Sequence, residues 1–249
     1  MTTKNEVSSS YLETLMNEHG EKPRDTARIV LITGAGKPNS IGSTIARRIE
    51  EGKTEIDFWM DDIRYVELPL MSGYDTLIMC HGVCHLDWFE NAPMEIVQEI
   101  FDVNVVGTYR MASKFVRDTI HTDDRKQIVI IGSMAHKAVL NGSAAYCASK
   151  AALAHLVRCM AWELAPKGFD VYIIHPSNVE GAPMSEETIK GLMRYRDMSR
   201  KQAESYWNDS PIRSQSLTMS EIAELVHFIV TKNPVWLSGT QLDLGGGQR

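Results

Sequence analysis

The chain of 249 residues is 43% hydrophobic and 23% charged, with a formal net charge of −6. This length suits one α/β domain with a large core, and the composition is ordinary for a soluble globular protein. The absence of a basic block speaks against nucleic-acid binding, and no apolar run approaches the roughly 20 residues of a membrane span. The segment Met1 to Gly20 lacks an apolar stretch of signal-peptide type. We therefore expect a cytoplasmic protein without nucleic-acid or membrane partners.

Residues 1–27 are polar and are interpreted as an N-terminal extension, either a surface arm or an oligomer contact. From Arg28 onward strand and helix patterns alternate, which predicts one Rossmann-like α/β domain over residues 28–249, with a doubly wound parallel sheet in three α/β/α layers. The predicted strands are Ile29–Thr33, Ile56–Met60, Tyr65–Leu68, Thr76–Cys80, Gln127–Ile131, Val171–His175 and Gln241–Leu244. The predicted helices are Ile41–Glu51, Glu95–Thr119, Ala144–Ala165 and Ser220–Thr231. A polar segment at about residues 183–216 predicts a mobile helical flap.

A glycine-rich turn joins the first predicted strand to the first predicted helix. It contains Gly34, Gly36, Ser40, Ile41 and Gly42. Backbone N–H groups and a helix N-terminus in this setting favour the pyrophosphate of a dinucleotide. An ordinary βα turn is the alternative interpretation.

Two carboxylates end the second predicted strand, and Asp61 is the favoured ligand for the adenosine ribose hydroxyls. An acid at this position also repels a 2′-phosphate, so we expect NAD, with NADP as the alternative. Lys37 and Arg64 are the cations that favour NADP instead.

Ser133, Tyr146 and Lys150 are the expected catalytic residues. Ser133 follows a β-branched apolar strand, and Tyr146 and Lys150 are four residues apart near the start of an Ala-rich helix, so they share one helical face. A cation beside a phenol is expected to lower the phenol's pKa toward the range useful for proton transfer. The serine hydroxyl is placed to bind the same substrate oxygen.

The cysteines Cys80, Cys84, Cys147 and Cys159 are expected to be free thiols in a reducing compartment. Two Cys-His dipeptides, at Cys80 and Cys84, invite a zinc interpretation. A structural zinc site needs four converging ligands, and a thiol at the end of an apolar strand usually packs in the core. No metal is expected.

The order of these landmarks resembles the short-chain dehydrogenase/reductase family from about Arg28 to Gly247. The resemblance implies that Asn104 supports a local helix distortion and a water leading to the catalytic lysine. It also implies cofactor contacts at a set of loop residues: Cys80, His81, Gly82, Tyr146, Lys150, Pro176 and Val179. The glycine loop is two residues longer than is usual in the family, with Ser40 in place of the middle glycine, and the stretch between Gly42 and the strand at Thr76 is short.

The implied reaction interconverts a secondary alcohol and a ketone with NAD(P), and Tyr146 acts as the general acid/base. A C=C reductase or epimerase on the same scaffold and a non-catalytic dinucleotide sensor are the alternatives. Residues after strand ends are expected to line the pocket of a small-molecule substrate: His85, Met134, His136, Leu140 and Met184. The helix Ala144–Ala165 is apolar nearly all round, which predicts a homodimer through it, within a homotetramer, with Arg158 and Trp162 at the edge of the contact.

Overall fold

Among the residues that the structure describes, six short segments pair into one parallel sheet. A computed structural model describes residues 28–50, 54–64, 67–121, 124–138, 140–208 and 216–246, so the predicted extension at residues 1–27 lies outside the described residues. The strands are β1 (Ile29–Thr33), β2 (Glu55–Trp59), β3 (Thr76–Met79), β4 (Lys126–Ile131), β5 (Phe169–Pro176) and β6 (Gln241–Leu244). Their order is β2-β1-β3-β4-β5-β6, and every pairing is parallel.

The strand order reverses between β1 and β3, because the chain first builds outward to β2 and then returns. Ligands of such sheets bind at this switch point, beyond the carboxyl ends of the strands. Strands β3, β4 and β5 are buried at every position, and most of their residues are apolar, as is usual for strands that are covered on both faces. The switch point therefore lies beside a rigid, buried set of strands.

The predicted strand at Tyr65–Leu68 is wrong for the part that the structure describes. Glu67 and Leu68 belong to no strand, and Tyr65 and Val66 lie outside the described residues. Only residues 60–64 separate this segment from the end of β2, whereas a crossover to a further parallel strand needs about a dozen residues or more. Strand β2 is consequently the edge of the sheet, and three of its five residues are exposed.

Helices cover both faces of the sheet, as predicted. On one face, α1 (Ile41–Glu50) lies with α7 (Met219–Lys232), and both bury side chains in one apolar cluster with β1, β4 and β5. The other face holds α2 (Met94–Phe101), α3 (Thr108–Thr119) and α4 (Ala144–Leu164). The long helix predicted at Glu95–Thr119 is therefore two α-helices, joined by a π-helical segment at Asp102–Gly107.

The segment predicted as a flap contains two helices, α5 (Pro183–Arg196) and α6 (Arg200–Asn208). A small apolar cluster of Leu86, Leu192 and Ala203 joins these helices to the loop that follows β3. Residues 209–215 lie outside the described residues. Within the described ranges, no helix combines the length and the apolar character that crossing a membrane requires.

Candidate active site

The glycine loop after β1 passes directly over the end of β3. Gly34 has a φ of 72°, and a Cβ at this position would lie 2.5 Å from the carbonyl carbon of Cys80. Only glycine tolerates both the left-handed conformation and this close approach. Gly42 is similarly tight, because its Cβ would lie 3.0 Å from Cα of Ala35. The loop thus presents bare backbone at the switch point.

Ser40 occupies the family's middle-glycine position and begins α1. Its Oγ accepts the backbone N–H of Ser43 at 3.2 Å, and its carbonyl oxygen accepts the N–H of Thr44 at 3.0 Å. This is the usual behaviour of an N-cap serine. Ile41 is the first helical residue and packs against the apolar cluster beneath α1. Exposed Gly36 lies beside Met60, whose Cε would be 3.0 Å from a Cβ at that glycine.

The two acidic residues after β2 have different surroundings. Asp62 accepts hydrogen bonds from Arg64 at 2.7 and 2.9 Å, and this guanidinium lowers the pKa of Asp62 to about 2. Arg64 also forms an ion pair with Glu99 at 2.9 Å. Asp61 is exposed, and no hydrogen bond to its carboxylate is found among the described residues. Two carboxylates therefore pair with Arg64, and Asp61 lies exposed just beyond the end of β2.

A bare glycine backbone, a helix N-terminus and an exposed carboxylate together fit the pyrophosphate and ribose of a dinucleotide. Pro176 is the last residue of β5, in register with Leu244 of β6. Val179 is buried just beyond it and forms an isolated parallel bridge with Leu217. Both residues lie at the same edge of the sheet as the glycine loop.

Ser133, Tyr146 and Lys150 lie together beyond the end of β4. Ser133 follows β4 and caps a short 3₁₀-helix, its Oγ accepting the N–H of Ala135 at 3.1 Å. Tyr146 lies in the first turn of α4 and Lys150 one turn later, and both are buried. The Nζ of Lys150 is 5.7 Å from the centroid of the Tyr146 ring. The same face of one helix thus presents both groups, as their spacing predicted.

The direction predicted for the Tyr146 pKa is wrong for the protein alone. Burial raises the pKa of Tyr146, the neighbouring Cys84 raises it further, and a hydrogen bond with Ser133 offsets only part of the rise. Burial also lowers the pKa of Lys150 to about 8. In both groups, burial disfavours the charged form. The phenol is therefore neutral at physiological pH.

Asn104 lies in the π-helical segment, so the helix is distorted at the predicted place. Its Oδ1 accepts the N–H of Val83 at 2.9 Å, and its Nδ2 donates to the carbonyl oxygen of Val83 at 3.0 Å and to Oγ of Ser149 at 3.0 Å. Gly82 is wedged between the amide and the lysine, since a Cβ there would lie 3.3 Å from Oδ1 of Asn104 and 3.4 Å from Nζ of Lys150. Asn104 therefore ties the loop after β3 to the helix that carries Tyr146 and Lys150.

His81 joins the glycine loop to this distorted helix. Its Nδ1 lies 2.7 Å from Oγ1 of Thr33 and its Nε2 lies 3.0 Å from Oγ1 of Thr108. Burial lowers the pKa of His81 to about 3 and raises that of Cys80 to about 12. Both side chains are neutral. The two ring nitrogens of His81 have hydrogen-bond partners within the protein, and Cys80 packs against an apolar cluster. Within the described ranges, donors that are close enough to share a metal ion meet at His136, His175 and Asp243, not at the Cys-His pairs.

The residues predicted to line a substrate pocket divide into two groups. Met184 and His85 lie near the predicted catalytic residues: Sδ of Met184 is 3.7 Å from the Tyr146 hydroxyl, and His85 helps to line a cavity of about 290 Å³ with Cys84, Leu86 and Arg194. The remaining three lie along the loop that starts at Ser133. Met134 is buried, Leu140 is exposed, and His136 is bonded to Asp243 at 3.0 Å.

The family model described as "Enoyl-(Acyl carrier protein) reductase" matches residues 70–249. The chain belongs to the short-chain dehydrogenase/reductase family. This membership confirms the predicted family, and the parallel sheet and the solved structures confirm the predicted Rossmann-like fold.

Two curated relatives and one solved structure illustrate the likeness. The chain is 32% identical over 133 residues to the vibriobactin-specific 2,3-dihydro-2,3-dihydroxybenzoate dehydrogenase of Vibrio cholerae, covering 53% of this chain and 47% of that protein. It is 25% identical over 173 residues to the 3-oxoacyl-[acyl-carrier-protein] reductase FabG of Buchnera aphidicola, covering 70% and 65%. An NAD⁺-bound xylitol dehydrogenase has the same fold, with a TM-score of 0.78 at 21% identity, over 90% of this chain and all of the other. The chain thus spans about half to two thirds of the length of these curated relatives.

Sequence reasoning missed three side-chain contacts: two beside Tyr146, and one between helix α5 and the loop after β3. Cys147 follows Tyr146 directly, and Cys84 lies near enough to both Tyr146 and Lys150 to shift their pKa values. Burial raises the pKa of Cys84 to about 12. The third is Tyr195 of α5, whose ring lies 4.3 Å from that of Trp88. The adjacency of Cys147 was a visible signal, whereas the other two contacts depend on how the loop after β3 meets α5.

Proposed function

We propose that this protein is an NAD(P)-dependent oxidoreductase that interconverts a secondary alcohol and a ketone. One observation carries the proposal: Ser133, Tyr146 and Lys150 are gathered at the switch point, beside Asn104 and next to the glycine loop. A nicotinamide cofactor bound there supplies or accepts the hydride.

In the reducing direction, the neutral phenol of Tyr146 donates its proton to the carbonyl oxygen as negative charge develops on that atom. Burial favours this protonated form in the protein alone. The Ser133 hydroxyl donates a second hydrogen bond to the same oxygen and stabilises the developing charge. Lys150 lies close enough to stabilise the phenolate that remains, and its charge is retained below about pH 8.

Met184 and Asn104 support this proposed reaction in two different ways. The thioether of Met184 lies over the Tyr146 hydroxyl and limits the access of water to it. Asn104 holds the loop at Val83 against Ser149, which in turn donates to the Tyr146 carbonyl oxygen at 2.7 Å. Through these bonds Asn104 keeps the loop after β3 in register with the catalytic helix.

We further propose a preference for NAD(H). Two carboxylates already pair with Arg64, and Asp61 is exposed where the adenosine ribose of a dinucleotide lies in folds of this kind. Lys37 is also exposed, and its positive charge favours NADP instead.

The proposed oligomer is a dimer through α4. Trp162 on this helix is 85% exposed, and Val106 and Tyr109, on the neighbouring π-helical and α3 segments, are also exposed. Large apolar side chains that are exposed on these elements support the proposal of a protein–protein contact. Association of two chains there would cover the outer surface of the helix that carries Tyr146 and Lys150.

The test is cofactor binding followed by turnover. NADH and NADPH are titrated against nicotinamide fluorescence, and ketones, 3-oxoacyl thioesters and enoyl thioesters are then supplied with the preferred cofactor. Oxidation of the cofactor with a ketone or 3-oxoacyl substrate, and not with an enoyl thioester, is the expected result. Oxidation with the enoyl thioester alone would favour a C=C reductase, and binding without oxidation by any substrate would favour a sensor.

A further inference from the structure

His175 is a buried imidazole at the end of β5 that the proposed reaction does not use. Its Nδ1 accepts the backbone N–H of Ser133 at 3.2 Å, and its Nε2 lies 2.8 Å from Oε1 of Gln241. Gln241 in turn donates from Nε2 to the carbonyl oxygen of Ala154 at 3.4 Å. These bonds form a chain from the serine to the helix that carries Tyr146 and Lys150. We call Ser133, His175, Gln241 and Ala154 the serine-support chain.

The hydrogen-bond directions fix the imidazole tautomer. Because the Gln241 amide nitrogen faces a carbonyl oxygen, its own oxygen faces His175, and Nε2 of His175 must carry the proton. Nδ1 is then an acceptor, which matches the Ser133 N–H. Nδ1 also lies 3.1 Å from the Ser133 carbonyl oxygen, and that contact is not a hydrogen bond in this tautomer.

The packing around His175 leaves the ring little freedom. The side chain is 0% exposed, and a Cβ on Gly132 would lie 2.5 Å from Nδ1, so the residue before Ser133 must be glycine for the ring to fit. The His136 ring stacks on the other side with centroids 3.9 Å apart. Burial is the main reason that the pKa of His175 falls to about 4. The imidazole is therefore neutral over the working range of pH.

The charged and titratable groups that face this ring from neighbouring elements are His136, Asp243 and, through Asp243, Lys137. A metal ion shared by His136, His175 and Asp243 fits the geometry poorly. The lone pairs of two rings that are only 25° from parallel do not converge on one point, and Asp243 already binds His136 and Lys137. The cluster instead immobilises the His175 ring.

We propose that His175 is a positioning residue for Ser133, holding the serine backbone through Nδ1 and linking it through Gln241 to the Tyr146–Lys150 helix. The inference rests on the proposed oxidoreductase function. A neutral acceptor is required because a protonated Nδ1 would face the Ser133 N–H with a second donor. The serine would then lose a backbone bond next to the hydroxyl that binds the substrate oxygen.

Three variants separate this role from packing alone. His175→Leu keeps the volume and removes the acceptor, and kcat is expected to fall on the order of tenfold to a hundredfold, the scale of a misplaced catalytic group. His175→Asn restores an acceptor at the Nδ1 position and is expected to recover most of kcat. The dissociation constant for NADH should change little in either variant. His121→Asn, at an exposed histidine after α3, is the matched control.

A pH profile gives the sharpest readout. Gln241→Glu places a carboxylate against Nε2–H, which raises the pKa of His175. The kcat of this variant is expected to fall as pH is lowered, whereas the kcat of the unmodified protein is expected to show no such fall. Adding His175→Asn to Gln241→Glu should abolish the new acid limb, because no imidazole remains to titrate. A limb that persists in the double variant would overturn the proposal.

The imidazole tautomer is measured independently of activity by long-range ¹H–¹⁵N NMR of histidine-labelled protein. An Nε2-protonated His175 that stays neutral to about its low pKa is expected, and an Nδ1-protonated ring would overturn the proposal. Failure of the unmodified protein to turn over any substrate would instead contradict the proposed function, while the NMR result would still decide the hydrogen bond to Ser133. Equal kcat for His175→Leu and the unmodified protein would contradict the positioning role alone.

Discussion

The two halves of the sheet differ in the kind of group that each offers to a ligand: mainly side chains in one half and mainly backbone in the other. The half with the proposed catalytic residues, β4 to β6 with α4, is called the catalytic half; it buries every residue of β4 and β5 and offers its proposed functional groups as side chains. The cofactor half, β1 to β3 with α1, ends in the exposed edge strand β2 and offers mainly backbone at its glycine loop. Proton transfer requires particular side chains in a dry, rigid setting. Pyrophosphate binding requires backbone N–H groups and space, so a longer loop and an exposed strand β2 are compatible with it.

The largest expected effect tests the catalytic half. Tyr146→Phe keeps the ring and removes the phenol that we propose carries the proton, so turnover should fall by about 10²–10⁴-fold, the usual contribution of general acid–base catalysis. NADH binding should remain close to that of the unmodified protein. Steady-state kinetics and fluorescence titration measure the two quantities.

Tyr74→Phe is the matched control. It also removes one phenol hydroxyl, bonded to Asp57 at 2.8 Å, but at the amino end of β3 and away from the site. A Tyr146→Phe variant that loses less than about tenfold in kcat would contradict the assignment of the proton donor, because general acid–base catalysis contributes more than that.

The next effect tests the cofactor half. Asp61→Ala removes the exposed carboxylate beyond β2, so the preference for NADH over NADPH should narrow by about tenfold, which corresponds to ~1.4 kcal/mol. Dissociation constants for both cofactors measure the change. Glu67→Gln, which removes an exposed acid from the loop after β2, is the control and should leave the ratio unchanged. Tighter NADPH binding by the unmodified protein would show that Lys37 dominates this site.

The same contrast explains what the sequence could predict. Tyr146 and Lys150 were predictable because a four-residue spacing on one helix fixes their relation locally. The strand predicted at Tyr65–Leu68 was wrong for Glu67 and Leu68, because strand propensity was weighed without the length that a crossover requires. The Tyr146 pKa was wrong in direction because burial depends on distant segments, such as the loop carrying Cys84 and the helix carrying Met184. The role of His175 was invisible for the same reason, since Gly132, His136 and Gln241 meet it only in the folded sheet.

A smaller effect is expected on the pH dependence of NADH binding, through the charge of Lys150. Its pKa of about 8 lies below the ordinary value of 10.5, so the ammonium is present below about pH 8 and is lost above it. A dinucleotide is anionic, and its binding favours the charged lysine. The NADH dissociation constant should therefore rise roughly threefold to tenfold as pH increases through this range, a change of up to ~1.4 kcal/mol. Lys150→Met should bind weakly with no such pH dependence, and an unmodified protein with constant affinity would contradict the lowered pKa.

The smallest expected effect is a twofold change in the mass of the protein in solution. It tests whether the catalytic half also forms the contact between two chains. Helix α4 buries Leu153, Val157 and Met160 against the sheet yet leaves Trp162 85% exposed. Light scattering of the unmodified protein should give at least twice the chain mass of 28.0 kDa. Trp162→Glu places a charge in the proposed contact and should return the mass to that of one chain. Phe89→Glu alters a side chain that is 83% exposed on the loop after β3 and should leave the mass unchanged. An active monomer in the unmodified protein would mean that α4 holds Tyr146 and Lys150 in place without a second copy.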